Sequence, residues 1–320
     1  MERSPATLTG LAIGDALGMP FETHSFSSVA LHAWDGSFQS GASNTLQPDM
    51  DPGQWTDDTK MALGLAESLV EANTYSPVAA AAQYVGWFFS GDHRGMGKTT
   101  RLALERLVKG HHWLDSGIPG AQGNGTAMRA APLGLFYHRN PLLAAKAAVI
   151  DARITHASKE AEDGSAIVAA AVAVLMREDF NPKNLIQSTL YYTGFESEVA
   201  SKLCDVRDFF FDRKFNTVEE RLKAAFTLML QMGTKAHVVQ TVPAAFLCFL
   251  STSSFKDAVE LAIRAGGDTD TTAAITGALA GTYYGIEATS PYLDQLEDSH
   301  KLTHMDNLLY LSAPLFPEET

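Results

Sequence analysis

Two short stretches of the chain place several carboxylates among hydroxyl side chains, each directly before an apolar run. They are residues 55–59 (WTDDT) and residues 266–272 (GGDTDTT). The residue order predicts a helix start in both places, because Asp and Thr commonly satisfy the free N–H groups there. A helix start needs one side-chain acceptor, whereas these two starts together offer four carboxylates. The surplus of acids makes both stretches candidates for chemistry.

Two explanations of these acids are open at the level of sequence. Each stretch can be an ordinary helix cap, or the two can meet and share a ligand. If they meet, a helix dipole offsets only about 0.3–1 kcal/mol per charge, which is too little to hold four carboxylates together. A hard cation with oxygen ligands, such as Mg2+, Mn2+ or Ca2+, would supply the missing charge. Spacing along the chain does not decide whether the stretches meet.

The elements that would position these acids are predicted to be helices. Residues 9–18 form a helical run in which Gly10, Gly14 and Gly18 recur at every fourth position, which permits close backbone packing. Glu22 follows where this helix must stop, and residues 23–54 form a long irregular segment of the kind that is often functional. Further helical runs cover residues 79–89, 160–176, 185–192, 196–211, 218–232 and 238–249. No series of alternating strands is evident, so we predict an all-α fold of ten or more helices. The tail after residue 290 is predicted to dock on the surface.

Two glycine-rich segments invite a phosphate-binding interpretation. The run Gly97-Lys98-Thr99 lacks the earlier glycine and the preceding strand of a phosphate loop, so we reject that interpretation. Residues 117–125 form a glycine-rich turn that can present backbone N–H groups to a phosphate, or can be an ordinary turn. His156 precedes the long helical run from residue 160, where a histidine is more often structural than catalytic.

Composition narrows the class of protein. The 320 residues are 46% hydrophobic and 19% charged, so the chain can bury a sizeable core. A net charge of −13 argues against general binding to nucleic acid or anionic membranes. The two cysteines indicate no disulfide framework, and neither a signal peptide nor a membrane span is evident. We expect a cytoplasmic monomer with a single domain over residues 1–320.

Five segments, taken in chain order, resemble the ADP-ribosylglycohydrolase family. They are residues 10–22, 55–59, 123–132, 154–156 and 265–271, and they span nearly the whole chain. The resemblance implies a compact orthogonal multi-helix globule with a binuclear Mg2+ or Mn2+ centre and no significant β-sheet.

The resemblance also implies roles for individual residues. The implied metal ligands are Thr56, Asp57, Asp58, Asp268, Asp270 and Thr271. The implied ADP-ribose contacts are Gly123, Asn124, Gly125, His156, Gly266 and Gly267. Glu22 matches a family position close to the metals and the substrate, so Glu22 and Asp58 are the candidates for general acid or base. One departure is that Gly95-Met96-Gly97 stands where bacterial relatives often carry Asp-Ile-Gly.

The implied reaction is hydrolysis at the anomeric carbon of an ADP-ribosyl group on a protein side chain, with arginine the expected acceptor. Hydrolysis of a small ADP-ribose derivative or another N-glycoside is an alternative, as is a non-catalytic ADP-ribose-binding protein. A Ca2+-binding EF-hand starting at Asp268 is excluded, because Thr272, Ala273 and Leu279 occupy its fifth, sixth and twelfth positions.

Overall fold

The computed structural model describes residues 4–177, 180–194 and 196–315, and the regular secondary structure of this part of the chain is almost wholly helical. The first helices are α1 (Thr7–Gly18), α2 (Val29–Ala33), α3 (Asp57–Ala72), α4 (Pro77–Ser90), α5 (Lys98–Val108), α6 (Trp113–Ser116), α7 (Ala131–Phe136) and α8 (Pro141–Ala152). The others are α9 (Lys159–Leu175), α10 (Leu185–Thr193), α11 (Glu198–Phe211), α12 (Val218–Met232), α13 (Val238–Ser251), α14 (Phe255–Arg264), α15 (Thr269–Tyr284), α16 (Ile286–Thr289) and α17 (Ser299–Leu311).

Strand structure within the described ranges is limited to two short parallel strands, β1 (Ile118–Pro119) and β2 (His156–Ala157). Ile118 pairs with His156 and Pro119 with Ala157, so this ladder ties the glycine-rich turn to the start of α9. The predicted all-α fold is confirmed.

The glycine face predicted on α1 packs against α15 at the centre of the fold. A Cβ atom added at Gly14 would overlap with the backbone carbonyl of Ala273, and one at Gly10 would overlap with that of Gly277. Only hydrogen fits at these positions, so the two backbones lie in direct contact. Because α15 carries one of the acidic stretches at its start, this contact fixes where those acids lie.

We expect Gly14→Ala to destabilise the protein by about 1–3 kcal/mol, the usual cost of forcing extra atoms into a packed core. Ala is by itself the better helix former by about 1 kcal/mol, so a loss would report the steric overlap alone. Urea denaturation measures the change. Gly86→Ala is the matched control, because Gly86 lies in α4 and a Cβ there meets nothing within 4 Å. Equal stability changes in the two variants would contradict the close packing.

The alanine-rich run predicted to be central does form a buried helix. Helix α9 is buried from Gly164 to Leu175 and packs against α7, α8, α10 and α13. Its N-terminus follows β2, where Ser158 accepts a hydrogen bond from the N–H of Ala161. The helix therefore fixes the position of His156, which lies just before it.

The described part of the tail, up to residue 315, packs against the fold through α17, of which one face is buried and the rest is exposed or partly exposed. Helix α17 buries Asp306, whose carboxylate accepts from the N–H groups of Leu8 and Thr9 at 2.7 and 3.0 Å. Burial raises the pKa of Asp306 to about 6. The tail thus caps the start of α1, a contact between residues about 300 apart that helical periodicity does not reveal.

None of the helices in the described ranges is both long enough and apolar enough to cross a membrane.

Candidate active site

The two acidic stretches meet. The hydroxyl of Thr271, in the first turn of α15, donates to Asp58 Oδ2 of α3 at 3.4 Å. The acids of both helix starts line one cleft of about 250 Å3, which we call the acidic cleft. Residues of other segments also line it: Glu22, Gly95, Gly97 to Thr100, Gly123 to Gly125, Met128, His156 and Ala236. The question that spacing left open is therefore answered by the fold.

Asp15 holds the start of α3 and was missed from the sequence. Its fully buried carboxylate accepts from the N–H groups of Thr56 and Thr59 at 3.0 and 3.1 Å. It also accepts from the hydroxyls of Thr56 and Thr59 at 2.9 and 2.6 Å. Burial raises the pKa of Asp15. The available signal was an acid inside the small-residue helix, between Gly14 and Gly18.

Asp15 leaves the acids of α3 free from capping. The N-cap residue Thr56 makes no side-chain cap hydrogen bond, and neither does Asp268 at the start of α15. In the second stretch Asp270 Oδ1 accepts from the N–H of Thr271 at 2.9 Å. The cap explanation thus does not account for Asp57, Asp58 or Asp268, whose carboxylates face the acidic cleft.

The carboxylates crowd together with little opposing charge. Glu22, Asp268 and Asp270 each place an oxygen within 4.8 Å of the others. Burial, followed by the charge of Asp268, raises the pKa of Glu22 to about 7. Burial and neighbouring acids raise the pKa of Asp57, Asp58 and Asp270 well above their ordinary values. Ionising this cluster is costly unless a cation accompanies it.

The residues fit a hard divalent cation. Asp58 Oδ1 is buried and has no hydrogen-bond partner within the described part of the chain. Such an atom costs free energy unless a ligand or ion satisfies it. The donors nearby are carboxylate and hydroxyl oxygens, the set that Mg2+ and Mn2+ prefer. Glu22, predicted as catalytic, lies inside the same carboxylate cluster.

Asn124 links the glycine turn to the acids. Its side-chain amide donates to Asp268 Oδ2 at 2.5 Å and to the hydroxyl of Thr241 at 2.9 Å. Gly123 and Gly125 flank the ring of His156, since a Cβ at either would lie 3.1 Å from a ring atom. Burial, with a smaller effect of Arg129, lowers the pKa of His156 to about 3, so its ring is neutral. The fold therefore brings Gly123, Asn124, Gly125 and His156 together as predicted.

Arg129 holds the glycine turn and the segment before His156 in place. Its guanidinium Nε donates to Asp151 Oδ2 at 2.7 Å, with both side chains almost fully buried. Its Nη1 donates to the carbonyl of Gly125 at 3.0 Å and to the hydroxyl of Thr155 at 2.9 Å. Arg129 thus positions the glycine turn and the residue before His156 at once.

Gly266 and Gly267 shape the turn before α15. Both have positive φ, +72° and +84°, a conformation that favours glycine. Their N–H groups already donate, from Gly266 to the Ile263 carbonyl at 3.0 Å and from Gly267 to the His24 carbonyl at 2.8 Å. Neither lines the acidic cleft. Their assignment as ADP-ribose contacts stays a prediction. To donate to ADP-ribose, their N–H groups would first have to break the hydrogen bonds with the Ile263 and His24 carbonyls.

The Gly95-Met96-Gly97 loop before α5 lies against Asp57, and this contact explains why residue 95 is a glycine. A Cβ at Gly95 would overlap with Asp57 Oδ1, and the N–H of Gly97 partly offsets the effect of burial, which raises the pKa of Asp57. Asp92 instead pairs with Arg94, at 2.9 Å, and is absent from the lining of the cleft. Lys98, Thr99 and Thr100 at the start of α5 do line it. They were missed because their Gly-Lys-Thr pattern was tested only as a phosphate loop.

Comparison with known proteins agrees with this geometry. The model of the ADP-ribosylglycohydrolase family matches residues 1–315. ADP-ribosylarginine hydrolase Tri1 of Serratia proteamaculans is 29% identical over 322 residues, covering 98% of this chain and 80% of the relative. ADP-ribosylhydrolase ARH3 of Homo sapiens is 27% identical over 328 residues, covering 90% and 86%.

A solved structure described as an ADP-ribosylglycohydrolase-related protein complex superposes with a TM-score of 0.76. It is 28% identical, and the match covers 98% of this chain and 99% of that one. The chain belongs to the ADP-ribosylglycohydrolase family. It is a hydrolase of the glycosidic bonds of ADP-ribose, and the acidic cleft can bind a metal.

Proposed function

We propose that the protein removes ADP-ribose from a modified protein side chain, with arginine as the first acceptor to test, in a reaction that depends on two Mg2+ or Mn2+ ions. The observation that carries this proposal is the meeting of the two acidic helix starts around Asp58 Oδ1, an atom with no hydrogen-bond partner among the described residues. The proposed ligands are Thr56, Asp57, Asp58, Asp268, Asp270 and Thr271. A cytoplasmic monomer with one domain remains part of the proposal.

Bound cations would supply positive charge at the reacting centre and lower the pKa of water there. The chain itself would supply the proton carrier. Glu22 is suited to this task, because burial and Asp268 raise its pKa to about 7, near the working pH. Asp58 is the other candidate. Water would add to the anomeric carbon as the bond to the acceptor breaks, through an oxocarbenium-like transition state. The carboxylate of Glu22 or Asp58 would take a proton from this water and deliver a proton to the leaving acceptor atom.

The pyrophosphate of the substrate is negatively charged, so its binding in a cleft lined by carboxylates needs a separate explanation. The turn at Gly123–Gly125 and the first turn of α5 both line the cleft. Helix α5 begins after Gly97 without a side-chain cap, so its first N–H groups are open to a phosphate. Lys98 adds a positive charge at the same helix start. We propose that the pyrophosphate lies between these two segments, away from the carboxylate cluster.

The choice of acceptor rests on the relatives. Tri1 is named as an ADP-ribosylarginine hydrolase, whereas the name of ARH3 specifies no linkage. Arginine is therefore the first linkage to test. The deciding assay measures free ADP-ribose released from one peptide modified on arginine and one modified on serine, each with Mg2+, with Mn2+ and with EDTA. Metal-dependent release from the arginine peptide would support the proposal, and release from the serine peptide alone would overturn the linkage.

We expect Glu22→Gln to lower kcat by about 10²-fold or more, the usual contribution of a general acid or base. The dissociation constant of ADP-ribose should change much less, because the glutamine keeps the size and the hydrogen bond with Asn44. Steady-state kinetics and calorimetry measure the two quantities. Glu219→Gln, exposed in α12, serves as the matched control. An equal loss in kcat and in affinity would mean that Glu22 only positions the sugar.

A further inference from the structure

A second cavity, of about 550 Å3, lies where α11, α12 and the end of α13 meet. Its walls combine cationic and aromatic side chains: Lys183, Arg207, Arg213, Arg221, Phe210 and Phe215. We call it the basic cavity. Its volume lies in the range of small-molecule sites.

The basic cavity is separate from the acidic cleft. Leu250 lines it near the end of α13, while Val238 begins that helix two residues after Ala236, which lines the acidic cleft. Twelve residues of α-helix separate the two positions by about 18 Å. The cavity is therefore no extension of the site for ADP-ribose.

The charge of the basic cavity is opposite to that of the whole protein. Four cations line it in a chain of net charge −13, and no carboxylate belongs to its described lining. Arg207 pairs with Asp208 at 2.8 Å, and Arg213 lies 5.2 Å from the ring of Phe209. Lys183 and Arg221 have no ion pair with any described residue. Like charges gathered in this way repel unless an anion joins them.

Arg221 gives a second indication of a missing acceptor. Its Nε is buried and has no hydrogen-bond partner within the described residues. An unsatisfied buried donor is unfavourable, and a phosphate or carboxylate oxygen would satisfy it. The N-terminus of α12 also borders the cavity, at Thr217 and Val218, but Thr217 caps it and Glu219 and Glu220 lie in its first turn, so the cations of the cavity are side chains only.

The aromatic side chains that line the cavity indicate which group would accompany the anion in a ligand. Phe210 and Phe215 are partly buried in its wall, and Phe211 at its margin is 66% exposed. Partly buried aromatic side chains beside Arg213 and Arg221, which have no ion pair with any described residue, suit a flat ring that carries an anionic group.

We propose that the basic cavity is a binding site for a small aromatic anion, whose phosphate or carboxylate contacts Arg221, Arg213 and Lys183 while its ring lies against Phe210 and Phe215. This site goes beyond the proposed hydrolase reaction. It would bind its ligand whether or not the acidic cleft is occupied.

Calorimetric titration with 1-naphthyl phosphate tests the proposal, in the absence of ADP-ribose, because its adenine ring and phosphates would compete for the basic cavity. We expect one saturable site in the wild type and at least tenfold weaker binding in Arg221→Gln. Arg213→Gln should weaken binding in the same direction. Arg139→Gln, an exposed arginine in the turn before α8, should bind as the wild type does.

Inorganic phosphate tests recognition of the anionic group alone, and 1-naphthol tests recognition of the aromatic ring alone. Both should bind at least tenfold more weakly than 1-naphthyl phosphate. Absence of saturable binding would overturn the proposal, as would equal affinity in Arg221→Gln and Arg139→Gln variants that melt at the wild-type temperature. Phosphate binding as tightly as 1-naphthyl phosphate would overturn the aromatic part.

Discussion

Asp270→Asn is expected to lower turnover by roughly 10³-fold, because a bound cation contributes several kcal/mol to the transition state and each 1.36 kcal/mol is a factor of ten. Asp270 is buried and shares an oxygen cluster with Glu22 and Asp268. Removing its charge weakens the cation site without changing the shape of the side chain. Release of ADP-ribose from the modified peptide measures the loss. Asp294→Asn, an exposed acid, should leave turnover unchanged.

In the metal-free protein, Asp270→Asn is expected to affect stability in the opposite direction: the variant loses turnover but does not lose stability. Burial and the charges of Glu22 and Asp268 raise the pKa of Asp270, so the folded state holds this proton more tightly than the unfolded state. The metal-free wild type should therefore lose stability as pH rises above about 4. Metal-free Asp270→Asn should melt at the wild-type temperature or above it at pH 7. Mn2+ at 100 times its wild-type Kd should stabilise the wild type by about 2.7 kcal/mol for each site that it fills, and the variant by less.

A variant that keeps normal turnover, or gains as much stability from Mn2+ as the wild type, would contradict the assignment of Asp270 to the cation site.

Arg129→Leu is expected to destabilise the fold by about 3–5 kcal/mol, because it leaves the carboxylate of Asp151 buried without its partner. The ion pair is 2.7 Å long, with side chains 0% and 1% exposed. Tyr84 also donates to Asp151, at 3.0 Å, and its ring lies 4.8 Å from the guanidinium. Denaturant unfolding followed by circular dichroism measures the loss.

Arg129→Lys separates charge from geometry at this position, and Arg139→Leu is the surface control. Arg129→Lys keeps the charge but cannot contact Asp151, Gly125 and Thr155 together, so we expect an intermediate loss of stability and weaker binding of ADP-ribose. Arg139→Leu, on the surface, should change stability by less than about 0.5 kcal/mol. If Arg129→Leu is as stable as Arg139→Leu, Arg129 does not support the glycine turn.

Local patterns predicted much of the fold. The four-residue glycine spacing in α1 indicated a close helix contact, and Gly14 does meet Ala273. The alanine and valine run at residues 160–176 indicated a central helix, and α9 is buried. Each of these signals lies within one element, where side-chain periodicity records which face is covered.

The parts that sequence did not predict depend on contacts between distant elements. Asp15 and Asp306 are single acids within helical runs, and nothing beside them shows that each caps another helix. The meeting of Asp58 with Thr271 joins residues 213 apart and follows from the packing of α1 between the two acidic helix starts. Residue types identified the acids, whereas only the fold could bring them together.

The most direct test of the central claim is to titrate the metal-free protein with Mn2+ while following bound Mn2+ by electron paramagnetic resonance and turnover of the arginine-modified peptide in the same samples. We predict no turnover without metal and a rise in activity that follows bound Mn2+ up to two ions per chain. Full turnover in the metal-free protein, or activity that is independent of bound Mn2+, would contradict the claim that the two acidic helix starts form a catalytic cation site.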